Sequence, residues 1–229
     1  MTRALQQTSG VSWTIEVAAV LACFLPAARA ADTQPESLEA ALSRQATGLK
    51  PEVLRLALKA RELAWKRGQG DALKRLTVID YSLPSTRKRL WVLDLAERRV
   101  LFHELVAHGR GSGDNVATAF SNRSGSLQSS LGLFLTGETY SGKHGYTLRL
   151  QGLEPGINDR AEERAIVIHG AWYVSEEFAS RHGRLGRSWG CPALDRKVSR
   201  KLIDAIKGGS LLFVYYPDRS WLKGSKYLE

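Results

Sequence analysis

Cys191 and His169 are the two residues of this 229-residue chain whose types and spacing point first to chemistry. The cysteine sits in Gly186-Arg-Ser188-Trp189-Gly190-Cys191-Pro192. The histidine ends the apolar run Ile166-Val-Ile-His169-Gly170, 22 positions upstream. A thiol of ordinary pKa, about 8.5, is mostly protonated at neutral pH. A neighbouring imidazole can take that proton and hold the thiolate as an ion pair, and only the thiolate attacks a carbonyl strongly. A histidine at a rigid strand end is well placed for this. Gly170 lets the chain turn away without a side chain blocking access. Gly190 permits φ > 0, so that successive N–H groups converge on one point. Such donors form an oxyanion hole, each contributing about 3–4 kcal/mol to transition-state stabilisation. Ser188 either hydrogen-bonds within the site or serves as a turn residue. Taken singly, a buried cysteine is more often an inert small hydrophobe and a buried histidine a satisfied core residue. The combination shifts the balance toward a nucleophile and its base.

Chain order prunes the alternatives. Papain-like proteases place the cysteine before the histidine, and the Gln-Ala-Cys-x-Gly context of caspases is absent. The five histidines (103, 108, 144, 169, 182) include no H-E-x-x-H pair and no cysteine pair, so neither a metal site nor a cofactor is expected. The glycine-rich run at 109–113 lacks dinucleotide spacing and precedes no helical pattern.

The elements around this pair set its context. Residues 1–30 read as a signal peptide, with Arg3, the apolar run Val17–Leu25 and Ala28-Arg29-Ala30 as a small-x-small cleavage site. The apolar run is too short to span a bilayer, so no membrane span is expected after cleavage. Cleavage leaves Cys191 as the sole thiol, and export implies a periplasmic setting. The formal net charge is +10, with Lys and Arg scattered rather than clustered. That fits diffuse attraction to anionic envelope polymers, or a merely solvated basic surface, and gives no dedicated nucleic-acid arm.

Residues 31–75 read as a linker and helical appendage, with helices over 36–47 and 51–66. Pro51 suits the first helical position and Gly68 the stop. Residues 76–220 form the main domain. Strands are expected at 77–82, 89–94, 100–107, 131–136, 147–151, 165–168 and 210–216, with a helix from Asp195 through Lys207. Segments 109–114 and 121–130 are expected as surface loops, 137–146 as a glycine-punctuated loop, and 221–229 as a tail. The fold class is mainly β, a β-rich α+β domain with a short N-terminal helical appendage.

The blocks I-V-I-H-G at 166–170 and S-W-G-C at 188–191 resemble the H-G…[ST]-x-G-C signature of bacterial L,D-transpeptidase catalytic domains. The segments at 130–137, 143–150 and 152–159 are similar to the murein L,D-transpeptidase branch, and the likeness covers about 76–216. The resemblance implies that Cys191 attacks the amide after the third residue of a peptidoglycan stem tetrapeptide. The terminal D-alanine leaves and a thioester forms, which an amine then resolves. His169 would be the base and later the acid. The amides of Gly190 and Cys191 would stabilise the oxyanion. Ser188 and Gly170 would support the histidine, and Tyr140 and His144 would line the substrate groove. Trp189 stands where many members carry His or Arg. Arg187 and Arg149 are the candidates for the substrate carboxylate. Two other outcomes fit the same residues: a cysteine hydrolase acting on peptidoglycan, and a non-catalytic wall-binding module.

Overall fold

Pro51 opens a helix, as its fixed φ allows, and α2 runs Pro51–Lys66 behind the shorter α1, Leu38–Gln45, which is capped by the Ser37 hydroxyl. In the computed structural model, the described residues are 1, 2, 10, 36–70 and 74–229. The expected signal segment therefore lies almost wholly outside them. Among the described residues no helix is long and apolar enough to cross a membrane. Val53, Leu54, Ala57, Ala60 and Ala64 make the buried stripe of α2, at helical spacing. These side chains belong to the same core as the strands rather than to a separate cluster.

The remainder is mainly β, as expected. The strands are β1 (Arg75–Asp80), β2 (Leu90–Asp94), β3 (Arg99–Glu104), β4 (Val106–Ala107), β5 (Gly132–Gly142), β6 (Gly145–Gly152), β7 (Val167–Ala171), β8 (Ala193–Asp195) and β9 (Leu211–Tyr215). They form one sheet in the order β3-β2-β1-β9-β5-β6-β7-β8-β4. Pairings β1–β9 and β7–β8 are parallel and the others antiparallel. Every residue of β2 and β9 is buried, in keeping with the apolar runs at 90–93 and 211–215.

The sheet's two terminal strands, β3 and β4, are consecutive in the chain with only Leu105 between them. One residue spans at most about 3.6 Å, so the two ends of the sheet meet there. Sequence patterning predicts a single strand over 100–107; the chain instead leaves one edge and joins the other. Arg89 fills this seam. It is fully buried, its Nε and Nη2 donate to the Val106 carbonyl at 3.1 and 3.0 Å, and Nη1 donates to the Leu83 carbonyl at 2.6 Å.

Three further elements are helices: α3 (Glu176–His182), α4 (Arg196–Ile206) and α5 (Arg219–Gly224). The Asp195 cap predicted for α4 is present, its carboxylate accepting from Lys197 N at 2.8 Å. The seven-residue α3 and three-residue β8 are too short to leave a periodic signal. The last residues carry structure as well. Trp221 and Tyr227 are buried in the main core, and the Trp221 indole donates to Glu154 at 3.2 Å.

The predicted loop at 137–146 is the end of a hairpin. Tyr140 pairs with Thr147 and Gly142 with Gly145, leaving Lys143 and His144 as a two-residue turn. Gly145 supplies the positive φ of +76° that such a turn needs. Three glycines and exposure of both faces hide the alternation expected of a strand.

Candidate active site

The thiol of Cys191 opens onto a cleft of about 500 Å³ lined by His169, Tyr140, His144, Lys143, Arg164, Tyr173, Arg187, Ser188 and Trp189, among others. The register delivers the histidine. His169 pairs with Thr147 of β6 on one side and with Ala193 of β8 on the other. Cys191 stands two residues before Ala193, so its loop is led past the same strand. His169 therefore lies in the middle of β7, not at a strand end.

The imidazole is 3 % exposed, and its Nδ1 lies 3.1 Å from the Gly170 carbonyl. A carbonyl only accepts, so the proton sits on Nδ1 and Nε2 keeps its lone pair. Burial, opposed by this hydrogen bond, holds the His169 pKa below the usual value, and the stacked ring of His144 at 4.5 Å adds to the lowering. Burial likewise pushes the Cys191 thiol up. The Val167 amide, the Arg164 guanidinium, the Cys191 amide and the Lys143 ammonium each oppose that rise. Burial thus disfavours charge on both the thiol and the imidazole. The thiol donates to the Ala165 carbonyl at 3.6 Å, and Ala165 holds a left-handed φ of +52° that aims this carbonyl.

Ser188 holds the loop rather than the histidine. Its hydroxyl donates to the Cys191 carbonyl at 2.6 Å and accepts from Gly190 N at 3.1 Å. Gly190 has the predicted positive φ, +127°. A Cβ there would meet the Gln128 carbonyl at 2.8 Å and Ile166 Cδ1 at 2.9 Å. Its amide, expected in the oxyanion hole, is already used by Ser188. The amides facing the sulfur are those of Val167 and Cys191.

Gly170 does not turn the chain. It stays in β7, paired with Leu194, and its missing side chain admits α4: a Cβ would meet Ser199 Oγ at 2.6 Å and Arg196 Cα at 3.4 Å.

The two candidate arginines differ in placement. Arg187 lines the cleft but is bonded to Asp114 at 2.8 Å and to the Gly113 carbonyl at 3.0 Å. Arg149 lies over the Tyr140 ring at 4.5 Å and lines a separate small recess of about 50 Å³.

Sequence reading passed over Arg164, the best-connected side chain here. Nη1 donates to the Ser121 carbonyl at 2.5 Å and Ser130 Oγ at 2.6 Å. Nη2 donates to the Gln128 carbonyl at 2.6 Å and Ser126 Oγ at 3.2 Å. It fastens the 121–130 segment to the cleft wall. The 109–114 segment, also expected at the surface, packs beneath the cysteine loop. A Cβ on Gly109 would meet Gly190 Cα at 2.8 Å, Ser188 N donates to the His108 carbonyl at 3.0 Å, and Arg110 N donates to the Ser188 carbonyl at 2.8 Å. Arg89 in turn donates to His108 Nδ1 at 2.7 Å. Burial, with the Arg89 charge adding to it, holds the His108 imidazole down to about 4, so the ring is neutral. A buried polar chain thus runs from the sheet seam to the cysteine loop.

No curated protein matches the chain. Solved structures similar to it include an L,D-transpeptidase from Mycobacterium smegmatis, at 14 % identity and TM-score 0.38, over 62 % of this chain and 59 % of that one. An L,D-transpeptidase from Stackebrandtia nassauensis is 15 % identical with TM-score 0.39, over 72 % and 67 %. The helical cell shape determining protein Pgp2 from Campylobacter jejuni is 15 % identical with TM-score 0.41, over 72 % and 56 %. The first and third of these chains are thus matched over less than two thirds of their own length. The model of the L,D-transpeptidase catalytic domain matches residues 45–215. That span takes in the second helix, the whole sheet and both halves of the thiol–imidazole site, and the chain belongs to the L,D-transpeptidase catalytic-domain family.

Proposed function

We propose that the protein is a cysteine acyltransferase of peptidoglycan, exported through its N-terminal segment and working in the periplasm. The observation that supports this reading best is the shared cleft: a cysteine thiol and an imidazole with a free Nε2 lone pair line one open cavity. His169 Nε2 takes the thiol proton as sulfur attacks the carbonyl after the third residue of a stem tetrapeptide. Because burial disfavours charge on both groups, we read this as general-base catalysis at the moment of attack. The C–S bond forms, and the oxyanion is met by the Cys191 and Val167 amides. The C–N bond then breaks, and the imidazolium returns the proton to the leaving amine of D-alanine. A second amine attacks the thioester, forming a new amide and releasing the thiol.

Exposure to a carbapenem followed by intact-protein mass spectrometry tests the first half. We expect a covalent adduct on the native protein and none on Cys191→Ala; absence from both would leave a wall-binding module. Muropeptide analysis tests the second half. Cross-linked dimers indicate transfer, whereas tripeptide alone indicates a hydrolase.

A further inference from the structure

We propose that a basic trough beside the cleft seats the carboxylate of the acceptor peptide during thioester resolution. This inference rests on the acyl-transfer reading above. The trough encloses about 330 Å³, and its side chains are those of Lys143, His144, Tyr146, Arg196, Ser199 and Arg200. Lys143 and His144 line the cleft as well, so the two depressions share a wall. His144 stacks on His169, so the residue that lines both depressions touches the imidazole of the cleft.

No carboxylate lines this trough, and three cations do. Arg196 and Arg200 stand one turn apart on α4, a like-charge spacing that destabilises a helix unless an anion offsets it. Among the described residues neither belongs to an ion pair. The acids of this region are already engaged. Asp204 accepts from Lys207 and from the Tyr146 hydroxyl, both at 2.7 Å, and Asp195 caps α4. The Arg200 guanidinium lies on the Tyr146 ring at 4.2 Å, which fixes the plane of its donor fork. A planar fork held beside a second one suits a carboxylate. A merely solvated basic face would not gather three cations around one concavity that shares Lys143 and His144 with the thiol cleft.

The same field acts on the acceptor's amine. Three nearby cations disfavour an ammonium and so raise the fraction of free amine. With its carboxylate in the trough, the acceptor approaches the thioester from the imidazole side. Its nitrogen attacks the acyl carbon, the N–C bond forms and the C–S bond breaks with its electron pair going to sulfur. One amine proton passes to His169 Nε2 and from there to the sulfur, which restores the thiol.

The test is the ratio of transfer product to hydrolysis product formed by the full chain from a stem tetrapeptide donor and a stem tripeptide acceptor. This ratio does not depend on how much thioester forms. Arg196→Gln/Arg200→Gln should lower it about tenfold at low salt, with a smaller effect at 1 M salt, as expected for exposed charges. Arg196→Lys/Arg200→Lys should recover most of it. An unchanged ratio overturns the proposal, as does an equal fall in both double variants, which would mark a packing effect. An unchanged ratio with weaker retention on a polyphosphate probe would overturn it in favour of an anionic polymer. Hydrolysis product without transfer product from the native chain would instead remove the acyl-transfer reading itself.

Discussion

Cys191 is held as a thiol by burial and eased toward thiolate by Arg164 and Lys143. Its reactivity should therefore rise steeply with pH, about tenfold per unit below the thiol pKa. Arg164→Met and Lys143→Met should each move the pH profile of iodoacetamide alkylation upward. The Arg164 variant should move it further, because its charge is the stronger of the two influences. A profile unmoved by both would mean that neither cation reaches the sulfur. At this scale the two residues that the cleft brings together are visible in one dimension, as a cysteine in a glycine-flanked block and a histidine after an apolar run. Arg164 was not. Its four acceptors lie 34 to 43 positions earlier in the chain, a separation no local pattern marks. Ser188 was legible as a member of the site but not in its role, because its hydroxyl closes the turn instead of reaching the imidazole.

Among the elements, α4 and β7 touch through Gly170, which also lines the trough. Gly170→Ala should cost about 1–3 kcal/mol as an overpacking change. That corresponds to a melting temperature lower by about 2–4 °C for each kcal/mol in a chain of this size. Gly170→Ala/Ser199→Ala should recover part of the loss, since Ser199 Oγ is the nearest obstacle. Equal melting of the single and double variants would place the strain elsewhere. The helices α2 and α4 can be read in advance because Pro51 and Asp195 mark their starts chemically, and α1 from its helical periodicity over 36–47. The hairpin of β5 and β6 could not, because glycine and exposed polar residues on both faces erase the period of two. Consequently the turn that carries Lys143 and His144 reads from sequence as irregular chain.

Across the whole molecule, α1 and α2 share the core of the sheet, with the alanine stripe of α2 allowing close approach to β1 and β9. Leu54→Ala should lower unfolding free energy by about 2–5 kcal/mol, read as a reduced denaturant midpoint with an undiminished slope. A change below about 0.5 kcal/mol would mean that α2 is a loosely attached appendage. Strand existence was largely legible, whereas strand order was not. Nothing local announces that β3 and β4, one residue apart, take opposite ends of the sheet. Nor does the apolar run of β9 reveal that it lies between β1 and β5.

That central place of a late strand constrains how the molecule can be made. While the chain emerges N-terminus first, β1 to β3 can pair among themselves, but β1 shows an unsatisfied backbone flank until β9 has been delivered. Such a flank templates pairing with any extended stranger. Folding of this topology therefore favours delivery of β9 soon after β1 over slow, stepwise delivery.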